Sequence, residues 1–359
     1  MSIRHMKDRV RLAHVKMEVS DDDVIVFRGP RQTGEDVDEE RRSASPVSPP
    51  PPLLRRNSHL SGGGVSTCGP EGRALHDCCT LKDLNEAQVK VSYLNTTKTI
   101  HTRDKFGKTF LHDAVAKGQN AIVYWLVKKY LRDPTKWIDI NVRDKSQSTP
   151  LHYACMGGNP LFVGFLCESG AAVNAVTETG DSPLYLAAER GYTQAVQKLL
   201  KVPEIEVNLS NRKGRTALHA AVMSHNRVMV TQSDVRQRSR IDCRDVVLNL
   251  LHRDANVAEQ DIAGETAIHY AVFTEKFDLL ELMTKYGSNA ALAARNKFGN
   301  TALHMACAMA SRGCSQELQE KFVKHLVTSS APVDIRNAEG RLPEDLVPPG
   351  RTSVLRWLR

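Results

Sequence analysis

The sequence predicts an all-α solenoid of short helix–turn–helix repeats, preceded by a disordered N-terminal tail. Three observations point there. A Gly-x-Thr-Ala-Leu-His motif returns along most of the chain, and an apolar stretch of helical character follows each copy. The segment ahead of the first copy is rich in proline, serine, glycine and charge, a composition that buries too little apolar surface to offset its ordering entropy.

The plainest copy is Asn211–Val222. Gly214 permits a left-handed backbone at the end of a tight turn. Thr216 is placed to N-cap the helix that follows. Ala220 and Ala221 make that helix thin enough to lie close to a neighbour. The last position of the six-residue motif falls at 112, 152, 185, 219, 269 and 304, and an eroded copy, Glu339–Pro343, follows. The apolar stretches Ile122–Val127, Leu161–Leu166, Val196–Leu200, Val246–Leu251, Leu279–Met283 and Phe322–Val327 each fit the inner face of a second short helix. Pro150 and Pro183 each follow a capping residue, at the first helical position, where the missing N–H costs nothing. Longer intervals mark three insertions, around Lys129–Ile138, within Arg227–Arg244 and at Ala310–Glu320.

Period, turn and paired helices resemble ankyrin repeats, each about 33 residues long. The resemblance covers about Gly72–Arg359 and divides the chain into a regulatory tail (1–68), a degenerate capping repeat (69–100), an array of about six repeats (101–346) and a C-terminal cap (347–359). Two copies depart from the pattern. Ser146-Gln147-Ser148 replaces the glycine turn, and Tyr185 replaces the motif histidine. In the family that histidine bonds the motif threonine and a neighbouring repeat, so the resemblance implies a junction held differently at Tyr185 and structural roles for the others. It also implies a working surface of turn tips and first helices on the concave side of the solenoid. The partner-binding candidates there are Lys105, Phe106, Lys108, Arg212, Lys213, Arg215 and Phe298 on the tips. Asp113, Tyr153, Tyr270 and Met305 stand just after the motif on the first helices. Aromatic residues at such positions suit interface anchors.

The insertion within Arg227–Arg244 carries Arg227, Arg236, Arg238, Arg240 and Arg244, whose guanidinium forks suit acidic protein or phosphate. Repeats after an unstructured serine-rich tail resemble the inhibitor-of-NF-κB (IκB) family. The long exit from the first repeat and the basic balance are similar to its nuclear, coactivator-type members. That resemblance implies binding to a Rel-type transcription factor and a nuclear and/or cytoplasmic location. An Asp-Ser-Gly-x-x-Ser degron is lacking.

In the tail, three carboxylates at Asp21–Asp23 precede Val24, Ile25, Val26 and Phe27. A β-branched run beside acidic charge can add a strand to another protein's sheet edge, and it resembles a SUMO-interacting motif. Ser43 and Ser58 follow arginines, and Ser45 and Ser48 precede prolines. These four serines are candidate phosphorylation sites for basic-directed and proline-directed kinases.

The net charge is +8, with eleven basic and ten acidic residues in the tail, so most of the excess belongs to the repeats. No apolar run reaches the ~18–20 residues of a membrane span. The eight cysteines include no CxxC pair and suit buried reduced thiols. Neither a P-loop nor a GxSxG or HExxH pattern is present, and turn-tip carboxylates lack a pocket to shift their pKa, so no enzyme and no cofactor are expected. The function predicted is a protein–protein interaction scaffold. Two alternatives stand beside it: an adaptor presenting clients to a kinase or ubiquitin ligase, and direct nucleic-acid binding through the basic insertion. The second is disfavoured by the lack of aromatics interleaved along a basic groove.

Overall fold

Each motif copy opens a short helix because its threonine or serine holds the extended backbone of an N-cap just before a run of alanine and leucine. The structure is a computed structural model that describes residues 101–130, 138–225, 228–230, 238–240, 242–287 and 289–359. Outside the described residues lie the candidate strand Val24–Phe27, the candidate phosphosites Ser43, Ser45, Ser48 and Ser58, the segment 69–100, and Arg227 and Arg236.

The first helices are α1 (Phe110–Ala116), α3 (Pro150–Gly157), α5 (Pro183–Glu189), α7 (Ala217–Ser224), α9 (Ala267–Phe273) and α12 (Ala302–Cys307). Their partners are α2 (Asn120–Tyr130), α4 (Pro160–Glu168), α6 (Thr193–Leu200), α8 (Arg244–Leu251), α10 (Phe277–Tyr286) and α13 (Gln316–Thr328). First helices pack on first helices along one layer, and from α4 onward second helices pack on second helices along the other. Between the layers lies the core. The motif leucines Leu111, Leu151, Leu184, Leu218 and Leu303 and the equivalent Ile268 are at most 1% exposed. Burying one such side chain contributes about 1.5–3 kcal/mol, so each repeat adds a comparable increment where it meets the next. Pro150 and Pro183 begin α3 and α5 at the first helical position.

The second helices contain the predicted apolar stretches, with one reversal: Leu161, at the start of α4, is 67% exposed. Its Asn159 cap accepts from the N–H groups of Leu161 and Phe162, which places Leu161 on the outer turn. The insertion in the sixth repeat is largely helix. A 3-10 turn, Met309–Arg312, leads to α13, which starts six residues before the predicted stretch. Ser315 caps it, and buried Gln319 donates to the carbonyls of Ala306 and Cys307 at 3.2 and 2.6 Å. A further short helix, α11 (Asn289–Ala293), precedes the sixth motif. The chain ends in a 3-10 turn, Pro343–Leu346, and α14 (Thr352–Leu358), which packs on α13.

The arginine-bearing insertion forms a two-stranded antiparallel ribbon, β1 (Val228–Val230) with β2 (Arg238–Arg240), pairing Val228 with Arg240 and Val230 with Arg238. β-Branched Val228 and Val230 favour this extended pairing inside an otherwise helical array.

Candidate interaction surface

The turn tips are built by their first residue. Asp104, Asn211, Asp261, Asn296 and Asn337 each use Oδ1 to accept from backbone N–H groups two and four residues on, at 2.8–3.1 Å. That side-chain bond closes the turn. The next residue links the tips: Lys145, Glu178, Arg212, Ile262, Lys297 and Ala338 each donate a backbone N–H to the previous tip, at 2.8–3.1 Å. Their acceptors are the carbonyls of Phe106, Ser146, Thr179, Lys213, Ala263 and Phe298. The tips therefore form one continuous ridge with a backbone rung per repeat. Gly214 has φ +73°, and a Cβ there would sit 2.9 Å from Asp261 Cα. In the second tip, which lacks the glycine, Gln147 adopts φ 60° instead.

Below the ridge, five motif histidines tie repeat to repeat. His112, His152, His219, His269 and His304 reach the carbonyls of Ser148, Asp181, Glu265, Asn300 and Arg341 through Nε2, at 3.1–3.3 Å. A carbonyl only accepts, so Nε2 carries the proton, and Nδ1 accepts from the N–H of the capping threonine. This needs a neutral ring. Burial pushes His152, His219 and His269 down to about 4. At Tyr185, where the imidazole is replaced, Ser182 Oγ accepts from Tyr185 N–H and Asn211 Nδ2 donates to Asp181 Oδ1 at 2.7 Å, a tip-to-tip bond that Asn296 and Asn337 also make at histidine-bearing junctions.

Two predicted contact residues are inside this inter-repeat layer. Arg215 and Tyr270 are 7% and 5% exposed. Arg215 Nε lies 3.4 Å from Asp261 Oδ2, and its Nη2 donates to the Tyr270 hydroxyl at 3.1 Å. Tyr270 in turn donates to Asp261 Oδ2 at 2.6 Å. The pair closes the junction between the fourth and fifth repeats and is withdrawn from solvent. The physical reason is charge pairing: the fifth tip begins with Asp261, whose second oxygen faces back towards Arg215. A more open version joins the first two repeats, where Tyr153 donates to Asp144 at 2.7 Å and Lys108 Nζ lies 4.8 Å from the Tyr153 ring centroid. Tip residue Glu265 is buried as well. Its Oε1 accepts from Asn296 Nδ2 at 2.9 Å, while Oε2, 4.0 Å from His269 Nδ1, accepts no hydrogen bond. Burial raises its carboxyl to about 7.

The remaining candidates face outward to varying degrees. Lys105 and Arg212 are exposed, Phe106 and Phe298 are 55% and 46% exposed, and Lys108, Lys213, Asp113, Tyr153 and Met305 are half-buried. Lys105 Nζ sits 4.9 Å from the Phe106 ring centroid. Arg238 and Arg240 occupy β2, and Arg244 is exposed at the start of α8.

Sequence reasoning missed the anchor of the insertion. His225 Nδ1 accepts from Cys243 N–H at 3.1 Å, and its Nε2 lies 3.2 Å from Asp278 Oδ2. Lys276 Nζ donates to the carbonyls of Val222 and His225, covering the end of α7. One ring thus staples both ends of the insertion to the next repeat. Lys276 and Asp278 flank the start of α10, and the only signal for them was a charged pair in a linker.

This stacked geometry agrees with the comparisons. The ankyrin-repeat family model matches residues 75–177, 129–211, 170–232 and 239–341. NF-kappa-B inhibitor delta of Mus musculus is 31% identical over 259 residues, which cover 69% of this chain and 76% of that protein. The chain is an ankyrin-repeat protein of the IκB family. NF-kappa-B inhibitor zeta of Mus musculus is 30% identical over 265 residues, but this family member spans only 35% of its length. Among solved structures, the ankyrin repeat domain of Bcl-3, described as a unique member of the IκB family, superposes with a TM-score of 0.58 at 26% identity. It covers 70% of this chain and 100% of its own.

Proposed function

We propose that this IκB-family chain is a non-enzymatic scaffold that binds a Rel-type transcription factor through its first-helix layer and turn tips, and so regulates transcription in the nucleus or cytoplasm. One observation carries the reading beyond family membership. The residue just after the motif is kept half-exposed on α1, α3 and α12, as Asp113, Tyr153 and Met305, although the layer around it is buried. A carboxylate, an anchored aromatic and a polarizable thioether stand at equivalent positions of the first, second and sixth repeats, with half-buried Leu186 at that of the third, and form a discontinuous contact strip. Tyr270, at the same position of α9, supports the strip from within.

The test uses the full chain and purified Rel homology-region homodimers. Retention at micromolar concentration is expected, with Tyr153→Ala plus Met305→Ala weakening it about tenfold or more. No retention of any Rel homodimer would sink the reading. Retention indifferent to the double variant would move the interface off the first-helix layer.

A further inference from the structure

The ridge of turn tips has a pattern that the first-helix layer lacks. At the second position of its first six tips the ridge carries, in order, Lys105, Lys145, Glu178, Arg212, Ile262 and Lys297, and every one of these residues is exposed. Exposed Phe106 and Phe298 stand beside the first and last of them. From the fourth to the sixth repeat the ridge therefore alternates cation, apolar, cation and aromatic: Arg212, Ile262 (60% exposed), Lys297 and Phe298. Among tip carboxylates, Asp144, Asp261 and Glu265 are buried, Asp104 in the first tip is half-buried, and Glu178, Asp181 and Glu339 stand on the third and last tips, so the tips of the fourth to sixth repeats expose no carboxylate. Because each rung is bonded to the next through its backbone, the pattern is held in fixed register.

We propose that the turn-tip ridge is a docking track for an acidic protein segment that carries apolar side chains between its carboxylates. The inference rests on the reading of the repeat stack as a protein-binding scaffold and deepens it: it gives the turn tips, one part of the proposed contact surface, a ligand chemistry of their own. Charge complementarity selects an acidic ligand. Ile262, Phe106 and Phe298 select against a pure polyanion, because a phosphate backbone or an oligo-glutamate leaves their surface in water. Glu178 acts in the same sense: it repels a uniform run of negative charge yet accepts an amide or a basic side chain from a protein of mixed sequence. Exposed ion pairs are individually weak, so the contact is salt-sensitive and gains specificity from the apolar insertions. Nucleic acid, the other class of anionic partner, is disfavoured on the same grounds.

Three fluorescent probes of equal net charge decide the matter, measured by anisotropy with the full chain. They are a peptide alternating Asp/Glu with Leu/Phe, an oligo-glutamate and a single-stranded oligodeoxynucleotide. The alternating peptide is expected to bind about tenfold more tightly than either of the others. Arg212→Glu with Lys297→Glu, and separately Ile262→Ser with Phe298→Ser, are each expected to weaken it by about tenfold. Circular dichroism melts accompany each variant, and Lys105→Glu with Lys145→Glu repeats the charge test at the other end of the ridge should the first pair lower the melting midpoint. Equal or tighter binding of oligo-glutamate or oligonucleotide would overturn the proposal, as would peptide binding indifferent to both kinds of substitution. Rel homodimer retention is measured in parallel. Rel retained without peptide binding defeats the ridge alone, and peptide binding without Rel defeats the Rel reading alone.

Discussion

Replacing Arg215 separates a recognition residue from a structural one. Its side chain meets Asp261 Oδ2 at 3.4 Å and the Tyr270 hydroxyl at 3.1 Å, with the guanidinium carbon 5.5 Å from the Tyr270 ring centroid. Removing one partner of a buried ion pair costs about 3–5 kcal/mol, because the other charge stays buried without compensation. Here Asp261 keeps the Tyr270 hydroxyl on Oδ2 and the N–H groups of Ala263 and Glu265 on Oδ1. Those three bonds place Arg215→Ala at the lower end, about 3 kcal/mol. At roughly 2–4 °C per kcal/mol for an array of this size, the melting midpoint falls by about 6–12 °C. Arg215→Met keeps the aliphatic stem against Tyr270 and removes only the charge, so it isolates the electrostatic part. Urea unfolding followed by circular dichroism reads both variants. A midpoint within error of the parent for Arg215→Ala would refute the buried-junction account and return Arg215 to the partner surface.

Other expectations follow from the same geometry. Gly214→Val combines a left-handed φ with a Cβ 2.9 Å from Asp261 Cα, so it should lose more than the about 1–3 kcal/mol of backbone strain alone; an unchanged thermal midpoint would show the tip can relax. Burial raises the Glu265 carboxyl from its ordinary 4.5 to about 7, so its contribution to stability is present below 4.5 and lost as pH rises through 7. Glu265→Gln should therefore exceed the parent by about 3 kcal/mol at pH 8, shrinking to about 1 kcal/mol at pH 5; a pH-independent difference in chemical denaturation contradicts this. The motif histidines act oppositely. With folded values near 4 against an ordinary 6.5, His152, His219 and His269 stabilise the stack above pH 6.5, and that stability is lost as pH falls towards 4. The cost is on the order of 3 kcal/mol per ring when fully protonated. His219→Gln should flatten the acid limb of a stability–pH curve, and an unaltered limb would reject the neutral-ring assignment.

The helices were legible because their signals are local. A capping threonine or serine, a proline at the first helical position and the leucine that follows it specify α3 and α5 without reference to distant residues. The Tyr185 junction was legible for the same reason: one departure from a repeated pattern marks the place. Burial of Arg215 and Tyr270 was not, because it depends on partners across a junction. Asp261 lies 46 residues from Arg215, and Tyr270 lies 55 residues away, beyond an insertion of irregular length. In a row of otherwise exposed tip residues, Arg215 reads as one more surface cation. The onset of α13 was missed for another reason. Its first turn is polar, and what holds it is Gln319 bonding to the end of α12, a contact that hydrophobic periodicity does not register.

Titration calorimetry of the full chain against a purified Rel homology-region homodimer tests the central claim most directly, with Tyr153→Ala plus Met305→Ala run beside Arg215→Met. The account predicts micromolar or tighter binding, about tenfold weaker for the first variant, and unchanged for Arg215→Met below its melting transition. Binding that ignores Tyr153 and Met305, or is lost with Arg215→Met while the fold persists, would contradict it.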